Sequence, residues 1–269
     1  MQSLSQFPIN SLKAVEYVLC DIDDTVSTEG RLTAAAYDAL WRLHDAAFVV
    51  IPVTGRPAGW CDHFARMWPI QAIVGENGAF YFRYDPITKI FHKRFADDQE
   101  TRKSNRQRIN QIAKIILAEV PGCALASDQL YREADIAIDF CEDVSPLPPS
   151  DISRIVAIME QHGMTAKVSS IHVNGWIGKY DKLTMTKHLM AEVFDCEIGY
   201  EKEKFIFVGD SPNDQPMFHY FPNAVGVANL KNFESELKHK PAYVTKLEAG
   251  SGFVELADAL IAARTSETV

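Results

Sequence analysis

A chain of 269 residues, 47% hydrophobic and 23% charged, is long enough to bury a sizeable core as one large or two modest domains. Its net charge of −9 argues against a broad nucleic-acid footprint, and no apolar run approaches the roughly 18 to 20 residues that a membrane span needs. The first ten residues lack a basic stretch followed by an apolar one, so no signal peptide is expected. The five cysteines are scattered without a C-x-x-C pair; reduced thiols and a cytoplasmic location are the expectation.

In chain order, Tyr17–Cys20 reads as a buried strand. Residues 33–47 place Ala36, Leu40, Leu43 and Ala47 at helical spacing behind Thr33, a good N-cap. A second apolar strand over 48–53 ends at Thr54-Gly55-Arg56-Pro57, and a helix over 57–67 leads to a third strand over 71–74. Strand, helix, strand, helix, strand predicts βαβ units and a parallel sheet.

The pattern then changes. Residues 79–84 and 90–95 flank Asp85-Pro86-Ile87-Thr88, a hairpin signal. A long polar helix is expected over 97–120, a strand over 136–140, a helix over 151–162 behind Pro146-Leu147-Pro148-Pro149, and one strand over 165–173. Residues 86–180 hold equal numbers of basic and acidic side chains, so the remainder carries the whole net charge. From Lys182 the α/β rhythm returns: a helix over 182–193, a strand over 205–208, a helix over 213–220, a strand over 224–227 and a closing helix over 252–263. The expected fold class is α/β, a doubly wound parallel-sheet core formed by residues 1–84 and 181–269, with an α+β cap inserted over 85–180.

Four polar constellations fall just beyond strands or at a helix start of that core. Asp21-Ile22-Asp23-Asp24-Thr25 follows the first strand. Val53-Thr54-Gly55-Arg56-Pro57 follows the second. Lys182 opens a helix after Gly178-Lys179-Tyr180-Asp181, and Gly209-Asp210-Ser211-Pro212-Asn213-Asp214 follows 205–208. Ligands of open α/β sheets bind at that edge. Carboxylates converging there repel, and a divalent cation or a task in proton transfer would explain keeping them close. The inventory suits phosphoryl transfer, which needs an in-line nucleophile, a cation for the phosphoryl oxygens and donors for the rest. Hard carboxylate oxygens make magnesium the natural ion. The eight histidines show no zinc-ligand spacing.

These residues resemble the haloacid dehalogenase (HAD) phosphatase superfamily across all four of its motifs. The position of the cap and the segment Glu76-Asn77-Gly78-Ala79 are similar to subclass IIB, which includes Cof-type sugar phosphatases, sucrose- and trehalose-phosphate phosphatases, mannosyl-3-phosphoglycerate phosphatase and phosphomannomutase. The resemblance covers about residues 15–85 and 175–260; in the cap it is architectural. It implies Asp21 as nucleophile and Asp23 as general acid/base. It also implies Thr54, Gly55, Lys182 and Asn213 around the phosphoryl group, and magnesium on Asp21, the Asp23 carbonyl and Asp210, with Asp214 completing or orienting the shell. Lys179 competes with Lys182 for the third motif; Lys182 is preferred because it opens a helix. Asp24 stands where the family often has glycine.

Candidate substrate contacts are Arg56, Asn77, Ser169, His172 and Asn174; Ser169, Ser170, His172 and Asn174 form a polar alternation on the expected cap strand. The run 102–108 reads as an exposed helix face. The expected activity is hydrolysis of a small phosphorylated metabolite, a sugar phosphate, through an aspartyl phosphate. Alternatives are a phosphomutase of the phosphomannomutase type and a receiver-type phospho-acceptor domain. The expected partner is the small-molecule substrate, without nucleic acid or membrane; oligomeric state stays open.

Overall fold

Short apolar runs become the strands of a parallel sheet, and the amphipathic stretches between them cover its two faces. The structure is a computed structural model that describes residues 1–169 and 171–266. From the N-terminus, β1 (Gln2–Ser3) and α1 (Ile9–Ala14) lead to β2 (Tyr17–Cys20), α2 (Ala34–Asp45), β3 (Val49–Pro52), α3 (Ala58–Met67) and β4 (Ile73–Gly75). The hairpin of β5 (Phe80–Asp85) and β6 (Ile90–Phe95) follows, then α4 (Gln99–Glu119), β7 (Ala124–Leu125), β8 (Ile136–Asp139), α5 (Pro149–Gln161), β9 (Thr165–Val168) and β10 (His172–Trp176). The chain ends with α6 (Lys182–Phe194), β11 (Phe205–Gly209), α7 (Gln215–Tyr220), β12 (Ala224–Gly226), β13 (Tyr243–Val244) and α8 (Ala249–Thr265).

The main sheet runs β1-β13-β12-β11-β2-β3, every pair parallel. Alternation along β2 assigns its faces. Val18 and Cys20 pack with Leu40 and Leu43 of α2 and Phe253 and Leu256 of α8. Leu19 packs on the opposite face with Met185 and Leu189 of α6 and Phe218 of α7. Helices on both faces make this a doubly wound α/β sheet, as parallel strands require. Thr33 caps α2 as expected, its hydroxyl accepting the Ala36 N–H at 3.2 Å.

A second, antiparallel sheet runs β7-β8-β10-β9. Ile109, Ile112 and Ile116 of α4 and Ile155, Ile158 and Met159 of α5 pack on Ile136, Ile138 and Val173. Two helices on one antiparallel sheet form the α+β cap. The β5–β6 hairpin pairs with β4, and Val53 bridges in parallel to Val74, so this piece continues from the core. On that ground we propose that the inserted unit begins at α4 and not at residue 85.

Three expectations need correction. Residues 165–173 are not one strand: β9 and β10 are antiparallel partners. The Ser169 N–H donates to the His172 carbonyl at 2.8 Å, and the Ser169 hydroxyl accepts the His172 N–H at 3.0 Å. Ser169 thus closes a turn, while His172 and Asn174 share a face of β10; Ser170 lies outside the described residues. The helix expected over 213–220 begins only at Gln215, after a 3-10 turn at Pro212–Asp214. The edge strands β1 and β13, of two residues each, left no periodic signal.

Candidate active site

The register of β2 on β11 pairs Cys20 with Val208. The next residues on the two strands lead off the same sheet edge, and the Asp21 N–H donates to the Val208 carbonyl at 2.9 Å. Asp21 and Asp210 therefore meet at that edge, both buried. Oxygens of Asp21, Asp210 and Asp214 lie within 4.8 Å of one another. Thr25 completes the D-x-D-x-T pattern by donating to Asp210 Oδ1 at 3.2 Å.

One buried cation answers these carboxylates. Lys182 Nζ lies 2.8 Å from Asp214 Oδ1 and 3.2 Å from Asp21 Oδ1. Lys182, and not the exposed Lys179, reaches Asp21. The angle at Asp21 does not make a hydrogen bond, so Asp21 Oδ1 remains without a hydrogen-bond partner. Both Asp214 oxygens are engaged, Oδ1 by Lys182 and Oδ2 by the Asp210 and Ser211 N–H groups.

The electrostatics follow from burial and crowding. Burial pushes the Asp21 carboxyl up to about 7, with Asp214 and Asp23 adding to the rise against the pull of Lys182. Burial, then Asp21 and Asp214, raise Asp210 well above the usual carboxylate range. Burial alone would weaken the Lys182 ammonium, but Asp21 and Asp214 outweigh it and raise its pKa. A further cation would relieve this excess of negative charge, and hard oxygen donors suit magnesium. Asp21, with its unpartnered oxygen, and Asp210 are the residues that could hold it.

Asp23 points across the site to Arg56. Nε of Arg56 lies 2.9 and 3.0 Å from the two Asp23 oxygens, and Nη2 lies 2.7 Å from Oδ1. Arg56 also reaches the cap: Nη2 is 3.4 Å from Glu142 Oε1 and Nη1 is 3.5 Å from Asp128 Oδ2. Glu142 Oε2 in turn lies 2.9 Å from His172 Nε2. The His172 imidazole 2.9 Å away and the nearby Arg56 charge hold the Glu142 carboxyl below its ordinary value against its burial.

The structure gathers Asp21, Asp23, Gly55, Arg56, Ser169, His172, Asn174, Asp210 and Asn213 around one cavity of about 20 Å³. That is room for about one water, so the cap lies closed over the site. Lys182, Asn77 and Asn213 border an adjoining cleft of about 350 Å³. Thr54 is fully buried and on neither wall; its hydroxyl accepts the Arg56 N–H at 3.1 Å. A Cβ at Gly55 would sit 2.9 Å from Asn174 Nδ2 and 3.2 Å from Asn77 Nδ2, so both amide ends would have to shift to admit one. Asn174 Oδ1 and Asn77 Nδ2 are buried without hydrogen-bond partners.

Sequence reasoning missed Asp128, Arg132, Asp135 and Glu142. They lie in cap loops with no motif around them; long-range packing brings Asp128 and Glu142 to Arg56 and Arg132 to Gly55, and Asp135 pairs with Arg132.

No family model matches the chain. A phosphoglycolate phosphatase of Methanosarcina mazei is 26% identical over 246 residues, 88% of this chain and 93% of that protein. An HAD/Cof-like hydrolase of Plasmodium vivax superposes with a TM-score of 0.69 at 16% identity, over 95% of this chain and 99% of that one. The sucrose-phosphatase of Synechocystis, solved with sucrose and phosphate, superposes with a TM-score of 0.61 at 16% identity, over 91% of this chain and 97% of that one. The chain thus has the fold of haloacid dehalogenase-type hydrolases, and the curated relatives it resembles are phosphoglycolate phosphatases.

Proposed function

We propose that the chain is a magnesium-dependent phosphomonoester hydrolase acting on a hydroxyl-rich small ester, a sugar phosphate. One observation carries the reaction type: Asp21, with an oxygen free of hydrogen bonds, stands between Lys182 and Asp210 at the open edge of the sheet. Asp21 attacks phosphorus as the ester P–O bond breaks, forming an acyl phosphate. Asp23 gives a proton to the leaving oxygen, then takes one from the water that attacks the same phosphorus and frees Asp21. Lys182, Thr54, Gly55 and Asn213 are the residues assigned to the phosphoryl oxygens. Magnesium, when bound by Asp21, the Asp23 carbonyl and Asp210, supplies charge neutralisation at the phosphoryl group. Asp214, with both oxygens occupied, is assigned an orienting role.

Arg56 shapes the acid/base step. Its grip on both Asp23 oxygens aims the carboxylate. Proton delivery in the first step requires one of those oxygens to be released.

The substrate class rests on what the cavity wall leaves unpaired. The Arg56 guanidinium already faces Asp23, Glu142 and Asp128, and His172 faces Glu142. Among the described residues, each arginine lining the cavity already has an acidic partner. Asn174 Oδ1 and His172 Nε2 on the cavity wall, and Asn77 Nδ2 on the adjoining cleft, have no hydrogen-bond partner and match the donor and acceptor character of hydroxyl groups. The names of the curated relatives favour a second reading, a small phosphorylated acid such as phosphoglycolate, for which Arg56 and Arg132 would be the carboxylate contacts. Phosphate release from a panel of sugar phosphates, phosphoglycolate and phosphoglycerates, ranked by kcat/KM, decides between them. Isomerised sugar phosphate without net phosphate release would instead indicate a mutase.

A further inference from the structure

The cap and the core meet through an apolar cluster in which Trp176 of β10 packs with Ile22, Ala58 and Phe80, and through polar contacts of which one group lies at Glu76. Glu76 sits there, fully buried, in a loop where it and Asn77 both adopt positive φ, 43° and 55°. Such backbone is costly for residues with a Cβ and persists only where surrounding contacts enforce it. The enforcing contacts are visible. The Glu76 N–H donates to the Arg56 carbonyl at 3.1 Å, and the Asn77 N–H to the Thr54 carbonyl at 3.0 Å. The Glu76 carboxylate accepts four backbone N–H groups. One comes from Ala58 at 2.9 Å, at the start of α3. The other three come from the cap: Glu133 at 2.8 Å, Ala134 at 2.7 Å and Asp135 at 3.0 Å.

The same cap segment is gripped from its other side. Arg106 of α4 donates to the Asp135 carbonyl at 2.9 Å and to the Arg132 carbonyl at 3.1 Å. Its N–H groups therefore go to the core and its carbonyls to the cap helix. Arg132 Nη1 adds a bond to the Gly55 carbonyl at 3.0 Å. At the opposite side of the site, among the described residues, no hydrogen bond or ion pair joins 165–176 to 210–216. β8 starts directly after this segment at Ile136 and pairs with β10, which carries His172 and Asn174. The position of 133–135, together with Trp176 of β10 packed against Ile22, Ala58 and Phe80, thus bears on where those two side chains stand over Asp21 and Asp23.

We propose that Glu76 is a positioning residue that docks the cap on the core, and that through β8 and β10 it places His172 and Asn174 against the leaving group. It touches neither the phosphoryl site nor the substrate. The proposal rests on the phosphatase reading only for its kinetic test.

The kinetic test compares Glu76→Gln on two substrates, a sugar phosphate hydrolysed by the wild type and p-nitrophenyl phosphate, whose activated leaving group needs little help from the cap. The expected result is a loss of at least about tenfold in kcat/KM on the sugar phosphate against under about threefold on p-nitrophenyl phosphate. Equal loss on both, as from a smaller folded fraction, or no loss on either would overturn it. A second measurement needs no activity. Hydrogen exchange of the wild-type protein should show the Ala58, Glu133, Ala134 and Asp135 amides as slow as those of β2, and Glu76→Gln should speed those four selectively. Exchange of these amides at the rate of exposed loops in the wild type would refute the docking role, whatever the protein hydrolyses.

Discussion

Arg56 holds both carboxylate oxygens of Asp23, with three contacts between 2.7 and 3.0 Å. The pair is largely shielded from water and ties the motif after β2 to the motif after β3. Arg56 also stacks over Trp60, 4.4 Å from the ring centroid, so the guanidinium is fixed on more than one side.

Arg56→Ala removes that guide from Asp23 and leaves Glu142 and Asp128 facing each other without their shared cation. Turnover of an alkyl phosphate, whose leaving oxygen needs a proton, should fall by about 10²-fold. Turnover of p-nitrophenyl phosphate should fall much less. Steady-state kinetics across esters of graded leaving-group pKa measures the difference as a steeper dependence in the variant.

Asp21→Asn removes the oxygen proposed to attack phosphorus while keeping the shape. Phosphate release should drop by on the order of 10⁴-fold or more, as for nucleophile knockouts elsewhere. Denaturing mass spectrometry of quenched wild-type enzyme should detect the phosphorylated protein, and the variant should show none.

Lys182→Met keeps the bulk of the side chain and deletes the ammonium that pairs with Asp21 and Asp214. Breaking a buried pair by removing one partner costs about 3 to 5 kcal/mol. Urea unfolding in the presence of a chelator should show this loss. Magnesium should restore part of it, because an ion that binds only the folded state stabilises by mass action. Asp210→Asn should weaken that magnesium effect.

The pH dependence of stability without magnesium follows from Asp21. Its carboxyl titrates at about 7 in the folded protein against an ordinary value of 3.8, burial being the main cause. A raised acid means that the folded state binds more protons than the unfolded state between those values. Stability must then fall as pH rises from about 4 to about 7, and the loss is complete above that window. Asp210, also raised, acts in the same direction. Thermal unfolding in chelator should give a lower Tm at pH 8 than at pH 5, by a margin that shrinks when magnesium is added or in Asp21→Asn.

Local chemistry determined much of this protein from its sequence alone. Runs such as Tyr17–Cys20, the helical spacing behind Thr33, and the short-range motifs at Asp21, Thr54, Lys182 and Asp210 all depend on neighbours a few residues away. They announced a parallel α/β core and a phosphoryl-transfer edge, and the register of β2 on β11 brings Asp21 and Asp210 together as that pattern implied. The cap obeyed no such local rule. Alternating polar residues suggested one strand where Ser169 folds a hairpin, because alternation does not register a turn made by a side-chain oxygen. The partners of Arg56 and Glu76 are dozens of residues away in sequence, at Asp128, Glu133–Asp135 and Glu142. Only packing of the cap on the core decided those contacts, since buried charges and backbone N–H groups must find partners wherever the fold places them.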